Sequence, residues 1–331
     1  MVQQEQVIVI GGGPCGLSAA IELMDRGMSP LVIEKGNIVH AIYKYPTHQQ
    51  FFSTSEKLAI GGVPFYSTER KPKRNEALVY YRKVAEEKNV RVNSYEEVQS
   101  VTKYGNVFTV ETVKKGYVYQ YSAQAVVIAT GYYDSANYMN IPGEELPHVL
   151  HYFHEGHAYF KQDVVVIGGK NSAVDAALEL DKAGARVTVL YRGAIYSPSI
   201  KPWILPEFES LVKHGKIRME FEATPVSVEK DHVTYKKDGE TKTVASDFVF
   251  AMTGYHPDHN FIKKMGVDVD EVSGRPLFNE ETMETNVDNI FIAGVLAAGN
   301  NANEIFIENG RFHGEQIAKA LQERLVQTRQ H

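Results

Sequence analysis

One cysteine, Cys15, stands in 331 residues, which excludes an internal disulfide framework and any metal site built from several thiolates. No apolar run approaches the roughly 20 residues of a bilayer-spanning helix. The opening run Val7-Ile8-Val9-Ile10 is too short for the apolar region of a secretory signal and leads straight into a glycine turn, so the N-terminus reads as structure and the expected location is the cytoplasm. Positive charge is not in excess either: 35 Lys and Arg against 41 Asp and Glu give a net charge of −6 and a pI near 6.1, so neither nucleic acid nor a membrane is expected as a partner. His151, His154 and His157 recur every third residue, but no acid or cysteine completes a ligand set and no metal is expected. What remains is a 43% hydrophobic chain, long enough for two domains with real cores.

Two glycine turns follow β-branched runs. In the first, Gly11-Gly12-Gly13-Pro14-Cys15-Gly16 comes directly after Val7 to Ile10 and before the helical stretch Leu17 to Arg26. Gly11 permits the tight turn, Gly13 lets backbone approach a pyrophosphate, and Gly16 lets helix and strand pack closely, while the helix N-terminus offers unpaired N–H groups. The next strand, Pro30 to Ile33, ends in Glu34, which can accept from both ribose hydroxyls and disfavours a 2′-phosphate. This turn reads as a site for FAD or NAD.

The second turn, Gly168-Gly169-Lys170-Asn171-Ser172-Ala173 after Val164 to Ile167, has Lys170 in place of the middle glycine and Ala173 in place of the third. Its frame is intact: a strand before, a helix with Ala173, Ala176, Ala177 and Leu180 on one face, then Gly184 and the strand Val187 to Leu190. That strand ends in Tyr191-Arg192 instead of an acid. A guanidinium suits a phosphate on the 2′ oxygen and Tyr191 suits stacking on adenine, with Lys170 and Lys201 adding charge, so NADPH is preferred here.

Each unit continues through a hairpin-bearing stretch, around Lys115-Gly116 and around Asp238-Gly239, to a buried-looking strand ending in Thr130-Gly131 or Thr253-Gly254. The order strand–helix–strand, meander, Thr-Gly strand occurs twice. Asn289 to Gly294 reads as the strand returning to the first unit, and a helix from near Glu304 towards Leu325 closes it. The expected fold class is α/β, with two Rossmann-like dinucleotide-binding domains of three-layer ββα type. The FAD domain takes residues 1–131 and 255–331, and the NADPH domain, 132–254, is inserted into it.

This arrangement resembles the low-molecular-weight thioredoxin reductases over essentially the whole chain. In that group a Cys-x-x-Cys precedes the second nucleotide strand; here His148 to Gln162 holds no cysteine, and a dithiol relay is excluded. The first turn, Tyr45-Pro46-Thr47-His48, the second turn, Tyr196 to Trp203 and Ile305-Phe306-Ile307-Glu308-Asn309-Gly310 resemble the bacillithiol disulfide reductase family. The resemblance implies NADPH-dependent reduction of bacillithiol disulfide to two thiols, a homodimer, and rotation of the NADPH domain about the crossings near Gly131 to Pro142 and Gly254 to Asn260. Carried over by residue, Gly11, Gly13, Pro14, Cys15 and Gly16 hold the FAD pyrophosphate, Glu34 and Lys35 the adenosine ribose edge, and Val98, on the strand after the helix Asn75 to Lys88, lies against adenine. Thr130, Gly131, Gly294, Asn303 and Ile305 complete the FAD set. Gly294 is followed by Val295 where the group has an aspartate for the ribityl chain, which leaves that contact to Asn300 or Asn303. The NADPH set is Gly168, Lys170, Asn171, Ser172, Ala173, Tyr191, Arg192, Lys201 and Gly254.

Cys15 is the candidate catalytic residue. A helix N-terminus lowers a thiol's pKa, whereas two adjacent phosphates raise it. A thiolate there would attack the disulfide, release one thiol and hold the other as a mixed disulfide until the reduced flavin resolves it, across the length of the ribityl chain. A small residue that only packs the turn, with the flavin attacking the disulfide directly, is the other reading. His48 or His313 would donate the proton, and some of Tyr43, Tyr45, His48, Phe51 and Phe52 would wall the isoalloxazine. Arg70-Lys71-Pro72-Lys73-Arg74 would attract the malate carboxylates of bacillithiol or form a solvated loop. Two other classes stay open: a ferredoxin or flavodoxin NADP reductase, which needs no thiol, and a non-catalytic module that binds FAD and senses NADPH.

Overall fold

The computed structural model describes residues 2–301 and 303–328. The chain forms two compact units, one made of the segment ending at Ser135 together with the segment resuming at Tyr255, the other of Ala136–Gly254.

In the two-segment unit, β1 (Gln3–Ile10), α1 (Pro14–Asp25) and β2 (Pro30–Glu34) are followed by the short helices α2 (His40–Tyr43) and α3 (Ser55–Leu58), then α4 (Arg74–Glu87). The strands β3 (Val92–Ser94), β4 (Glu97–Tyr104), β5 (Val107–Lys114) and β6 (Tyr117–Ile128) come next. One seven-stranded sheet runs β3-β2-β1-β6-β5-β4, with a late strand also paired to β6. Val7 to Ile10 are all buried between parallel neighbours, which is why this run is continuously apolar instead of alternating. α1 stops at Gly27, φ 78°, with the Gly27 and Met28 N–H groups turned back to the Met24 and Leu23 carbonyls, the left-handed glycine stop.

The second unit runs β7 (Val149–Leu150), β8 (Asp163–Ile167), α5 (Asn171–Lys182), β9 (Arg186–Leu190), α6 (Leu205–Lys213), β10 (Ile217–Glu220), β11 (Thr224–Val228), β12 (His232–Lys237), β13 (Glu240–Ala245) and β14 (Phe248–Ala251). Its parallel sheet is ordered β10-β9-β8-β14-β7, and β11-β12-β13 form a separate antiparallel sheet. The chain then returns to the first unit through α7 (His259–Lys263), β15 (Ile290–Ile292), α8 (Ile307–Gly310) and α9 (His313–Thr328), and β15 pairs parallel with β6. Among the described residues no helix is long and apolar enough to cross a membrane.

Three expectations change in detail. The strand ending at Thr130-Gly131 and the second arm of its hairpin are one strand, β6, of 12 residues, so the first meander is continuous with the nucleotide sheet. In the second unit the chain breaks between β13 and β14, where the Ser246 and Asp247 N–H groups donate to the Asp231 and Asp163 carbonyls. The closing helix is broken as well: the Arg311 carbonyl accepts from Ser18 Oγ at 2.8 Å, and α8 is capped by Asn309 Oδ1, which takes the Phe306 N–H at 2.7 Å. Finally, two strands follow α4, and Val98 lies on the second, β4, beside a register shift between Val98 and Ser100.

Candidate active site

The first turn is built by exclusion. A Cβ at Gly11 would come 2.5 Å from the Ala129 carbonyl oxygen, and one at Gly16 would collide with the Gly11 carbonyl. At Gly13 nothing lies within 4 Å, so this glycine faces open space above the N-terminus of α1, where the first turn carries no acid. An anion is thus offered free N–H groups, a positive dipole end and room to approach.

Glu34, 7% exposed, does two jobs. Its Oε2 accepts the Gly12 N–H and its Oε1 the Gly36 N–H, each at 2.7 Å, which ties the turn to the loop after β2. Each carboxylate oxygen keeps a lone pair for a ribose hydroxyl, while the buried negative charge opposes a 2′-phosphate. The Glu34 carbonyl in turn accepts the N–H of Glu96 at 3.0 Å. Glu96 is 2% exposed, and its Oε1 receives the Thr112 and Tyr121 hydroxyls at 2.6 and 2.7 Å. Val98, partly buried, packs against the same core. Lys35 points elsewhere: its Nζ lies 2.9 Å from Asp134 Oδ2, and Lys44 Nζ 2.7 Å from Oδ1. Burial pushes the Asp134 carboxyl up, but the two ammonium groups outweigh it and hold it below its ordinary range.

Cys15 lies under the returning segment. A Cβ at Gly294 (φ 75°) or at Gly310 would come 3.1 Å from its Sγ, so both glycines make room for the sulfur. The residue retains some exposed surface, yet desolvation dominates and pushes the thiol up to about 12. No cation offsets this, so burial, an effect apart from the helix dipole and the phosphates weighed in the sequence, works against a thiolate. His313, first residue of α9, accepts the Gly294 N–H on Nδ1 at 3.1 Å. Burial lowers its pKa to about 4, which leaves a neutral ring with its proton on Nε2. His48 is exposed.

An aromatic run stands near this sulfur. Tyr45 meets Phe51 at 6.2 Å and the edge of Tyr133 at 5.0 Å, Tyr133 meets Tyr255 at 4.7 Å, and Tyr132 meets Tyr255 at 6.4 Å. Burial, then Tyr132, Tyr133 and Cys15, hold the Tyr45 hydroxyl protonated. Tyr43 is 56% exposed and not part of the run. Tyr132, Tyr133 and Tyr255 escaped the sequence reading, although Thr-Gly-Tyr recurs at 130–132 and 253–255 and could have flagged them. Gly131 turns at φ 70° after β6. Of the remaining candidates, Ile305 Cγ2 lies 3.1 Å from a Cβ placed on Gly310, and Asn300 Oδ1 2.7 Å from one on Gly274. Asn303 is exposed and its N–H meets Asn301 Oδ1 at 3.3 Å. The open side of Gly13, the spare lone pairs of Glu34 and the aromatic run fit a flavin dinucleotide.

In the second unit Gly168 repeats the constraint of Gly11: a Cβ there would come 2.5 Å from the Met252 carbonyl oxygen. The Tyr191 ring packs across the turn against Gly169 and Gly193. Lys170, at the N-cap of α5, and Arg192 are exposed, while Ala173 is buried. Asn171 is engaged by protein: its Nδ2 donates to the Ser199 carbonyl and its Oδ1 accepts the Lys201 N–H, both at 2.9 Å, which anchors the loop that carries Lys201. Ser172 is exposed on the first turn of α5. Gly254, φ 94°, accepts the Asn137 N–H at 2.9 Å. His151 packs at a tilt against Tyr138, ring centroids 4.5 Å apart, with Nε2 3.8 Å from Glu144 Oε1.

Comparison with known proteins bears on this geometry directly. A family model described as pyridine nucleotide-disulphide oxidoreductase matches residues 8–294. The chain is 64% identical over 323 residues to the bacilliredoxin reductase Bdr of Bacillus subtilis, covering 97% of this chain and 98% of that one. It is 65% identical to a solved bacillithiol disulfide reductase of Bacillus cereus, with a TM-score of 0.96 over 97% of this chain and 100% of that one. A thioredoxin reductase of T. acidophilum shares the fold, at 22% identity and a TM-score of 0.77 over 98% and 99%. The chain therefore belongs to the pyridine nucleotide-disulphide oxidoreductase family, as an enzyme working with a flavin and a nicotinamide nucleotide.

Proposed function

We propose that the protein is an NADPH-dependent, FAD-containing reductase of bacillithiol disulfide, cytoplasmic and homodimeric, with the FAD site on the two-segment unit and the NADPH site on the inserted one. The observation that carries the substrate is the near-full-length likeness, at 65% identity, to a solved bacillithiol disulfide reductase. The sum is one NADPH and one proton consumed, the S–S bond broken, and two thiols and NADP⁺ formed. The bound flavin supplies two-electron chemistry between nicotinamide and disulfide.

The chain's own residues do the rest. Gly11, Gly13, Pro14, Cys15 and Gly16 cradle the pyrophosphate at the start of α1, and Glu34 and Val98 bound the adenosine, with Lys35 turned to Asp134 instead. Thr130, Gly131, Gly294, Asn303 and Ile305 border the remainder. Gly168, Lys170, Asn171, Ser172, Ala173 and Gly254 bind the second nucleotide, with Tyr191, Arg192 and Lys201 at its 2′-phosphate end. His313, neutral with its N–H on Nε2, donates a hydrogen bond to a departing thiolate, whose proton comes from solvent. Desolvation raises the Cys15 thiol, which supports direct reduction of the disulfide at the flavin over attack by this sulfur.

NADPH oxidation is to be followed with bacillithiol disulfide, with a bacilliredoxin and with ferredoxin. Turnover with ferredoxin alone would defeat the reading. Bacilliredoxin stands as a second acceptor because the Bacillus subtilis relative bears its name. Cys15→Ala that keeps its flavin and its disulfide turnover establishes the direct route; loss of disulfide turnover with flavin retained restores the covalent one.

A further inference from the structure

Arg74 opens α4 and is 6% exposed. Its Nη1 donates to Asn75 Oδ1 at 2.8 Å, its Nη2 to the Tyr43 carbonyl, and the guanidinium lies 5.4 Å over the Tyr43 ring. Its Nε has no partner. Every one of these acceptors is neutral, and a buried cation without a counter-charge is costly to keep. The nearby acids are committed. Glu76 accepts the Lys73 and Thr68 N–H groups at 2.8 Å each, and Glu69 pairs with Lys73 at 2.9 Å while taking Gln50 Nε2 at 2.8 Å. Arg70, on the same segment, is exposed.

This surplus of positive charge is fastened to the aromatic run. The Phe51 N–H donates to the Pro72 carbonyl at 2.9 Å and the Arg74 N–H to the Gln49 carbonyl at 2.8 Å, and Gln50 Nε2 reaches the Lys71 carbonyl at 2.9 Å. Phe51 in turn touches Tyr45, which stands close enough to Cys15 for their ionisations to be coupled electrostatically. A disulfide of two carboxylate-bearing thiols carries its negative charge at ends remote from the S–S bond. If the sulfurs are held near the aromatic run, a cation on the segment hydrogen-bonded to Gln49, Gln50 and Phe51 is placed to receive such an end. A solvated loop accounts for Arg70 but not for a guanidinium buried among neutral groups.

We propose that the segment Arg70–Arg74 is the subsite for the carboxylate-bearing end of the thiol disulfide, with Arg70 making the contact and the unmatched charge of Arg74 setting the field beneath it. The proposal rests on the activity reading above. The test is steady-state kinetics of the holoenzyme with bacillithiol disulfide and, in parallel, with a neutral quinone as acceptor. Arg70→Glu should raise KM for the disulfide about tenfold with kcat within about twofold and quinone turnover unchanged. Wild-type KM should climb with ionic strength more steeply than that of Arg70→Glu. Arg74→Gln should act in the same direction and Arg74→Lys should rescue it; Arg70 is exposed and keeps the test decisive if the Arg74 variants fold poorly. A KM that stays within about twofold of wild type in Arg70→Glu overturns the subsite, as does an effect confined to a protein acceptor. A wild-type enzyme with no disulfide turnover overturns the activity reading and this subsite with it; turnover with unchanged variants overturns the subsite alone.

Discussion

Gly13 and Gly16 stand in one turn and answer to different demands. A methyl group on Gly16 meets the Gly11 carbonyl, whereas one on Gly13 meets nothing within 4 Å. Gly16→Ala is therefore expected to cost about 3 kcal/mol or more through overpacking and backbone displacement, measured by denaturant unfolding of the flavin-free protein. Gly13→Ala should leave that stability within roughly 0.5 kcal/mol yet weaken flavin binding at least tenfold in a fluorescence titration; unaltered affinity would remove this glycine from the cradle. Cys15 lies between them in sequence and behaves by burial. With its pKa pushed from 9.0 up to about 12, its alkylation by iodoacetamide in the flavin-free protein should at pH 8 be on the order of a thousand times slower than that of a free thiol. Ready labelling at pH 8 would restore the thiolate. At this scale the sequence carried the glycines well, because their spacing is a local steric code. It could not carry the balance at Cys15, or the role of Glu96, since burial and partners such as Thr112 and Tyr121 come from strands distant in the chain.

Elements were legible where their signals are local and misread where long-range partners decide. α1 and α5 announce themselves by turn, apolar face and stop. At the split between α8 and α9, Ser18, 293 residues away in sequence, donates to the Arg311 carbonyl, a partner that no local signal reports. α5 also holds an unanticipated group: Asp175, where burial and then the neighbouring Glu179 raise the carboxyl from 3.8 to about 7. Between those values the folded chain binds more protons than the unfolded one, so stability falls as pH rises from about 4 to 7 and is level above. Asp175→Asn should abolish that decline and stabilise the protein at pH 8 by on the order of 1 kcal/mol or more. Thermal melts of both forms between pH 4.5 and 8 check this; parallel curves would show that the carboxylate finds relief in solution.

At the scale of the whole molecule, the doubled strand–helix–strand signature was legible because each repeat spells out its own turn. Each unit buries its own apolar clusters, one set around Val7 to Ile10 and Val126 to Ile128, the other around Val164 to Ile167 and Phe250. Calorimetry is expected to resolve two transitions, with the flavin raising one and NADPH the other, each by about 2.7 kcal/mol at a hundredfold excess over Kd. A single transition moved equally by either ligand would make the two units one cooperative body. The two nucleotide sites also differ in how freely they can be rewritten. Glu34 spends both oxygens on the Gly12 and Gly36 N–H groups, so changing it to admit a phosphorylated ribose unravels the turn that holds the ligand. Arg192 is exposed at the end of β9 and props up no turn. In a lineage or in a directed-evolution experiment, coenzyme preference can therefore drift at the second site by single neutral steps, while the first is locked by the foldability of its own loop.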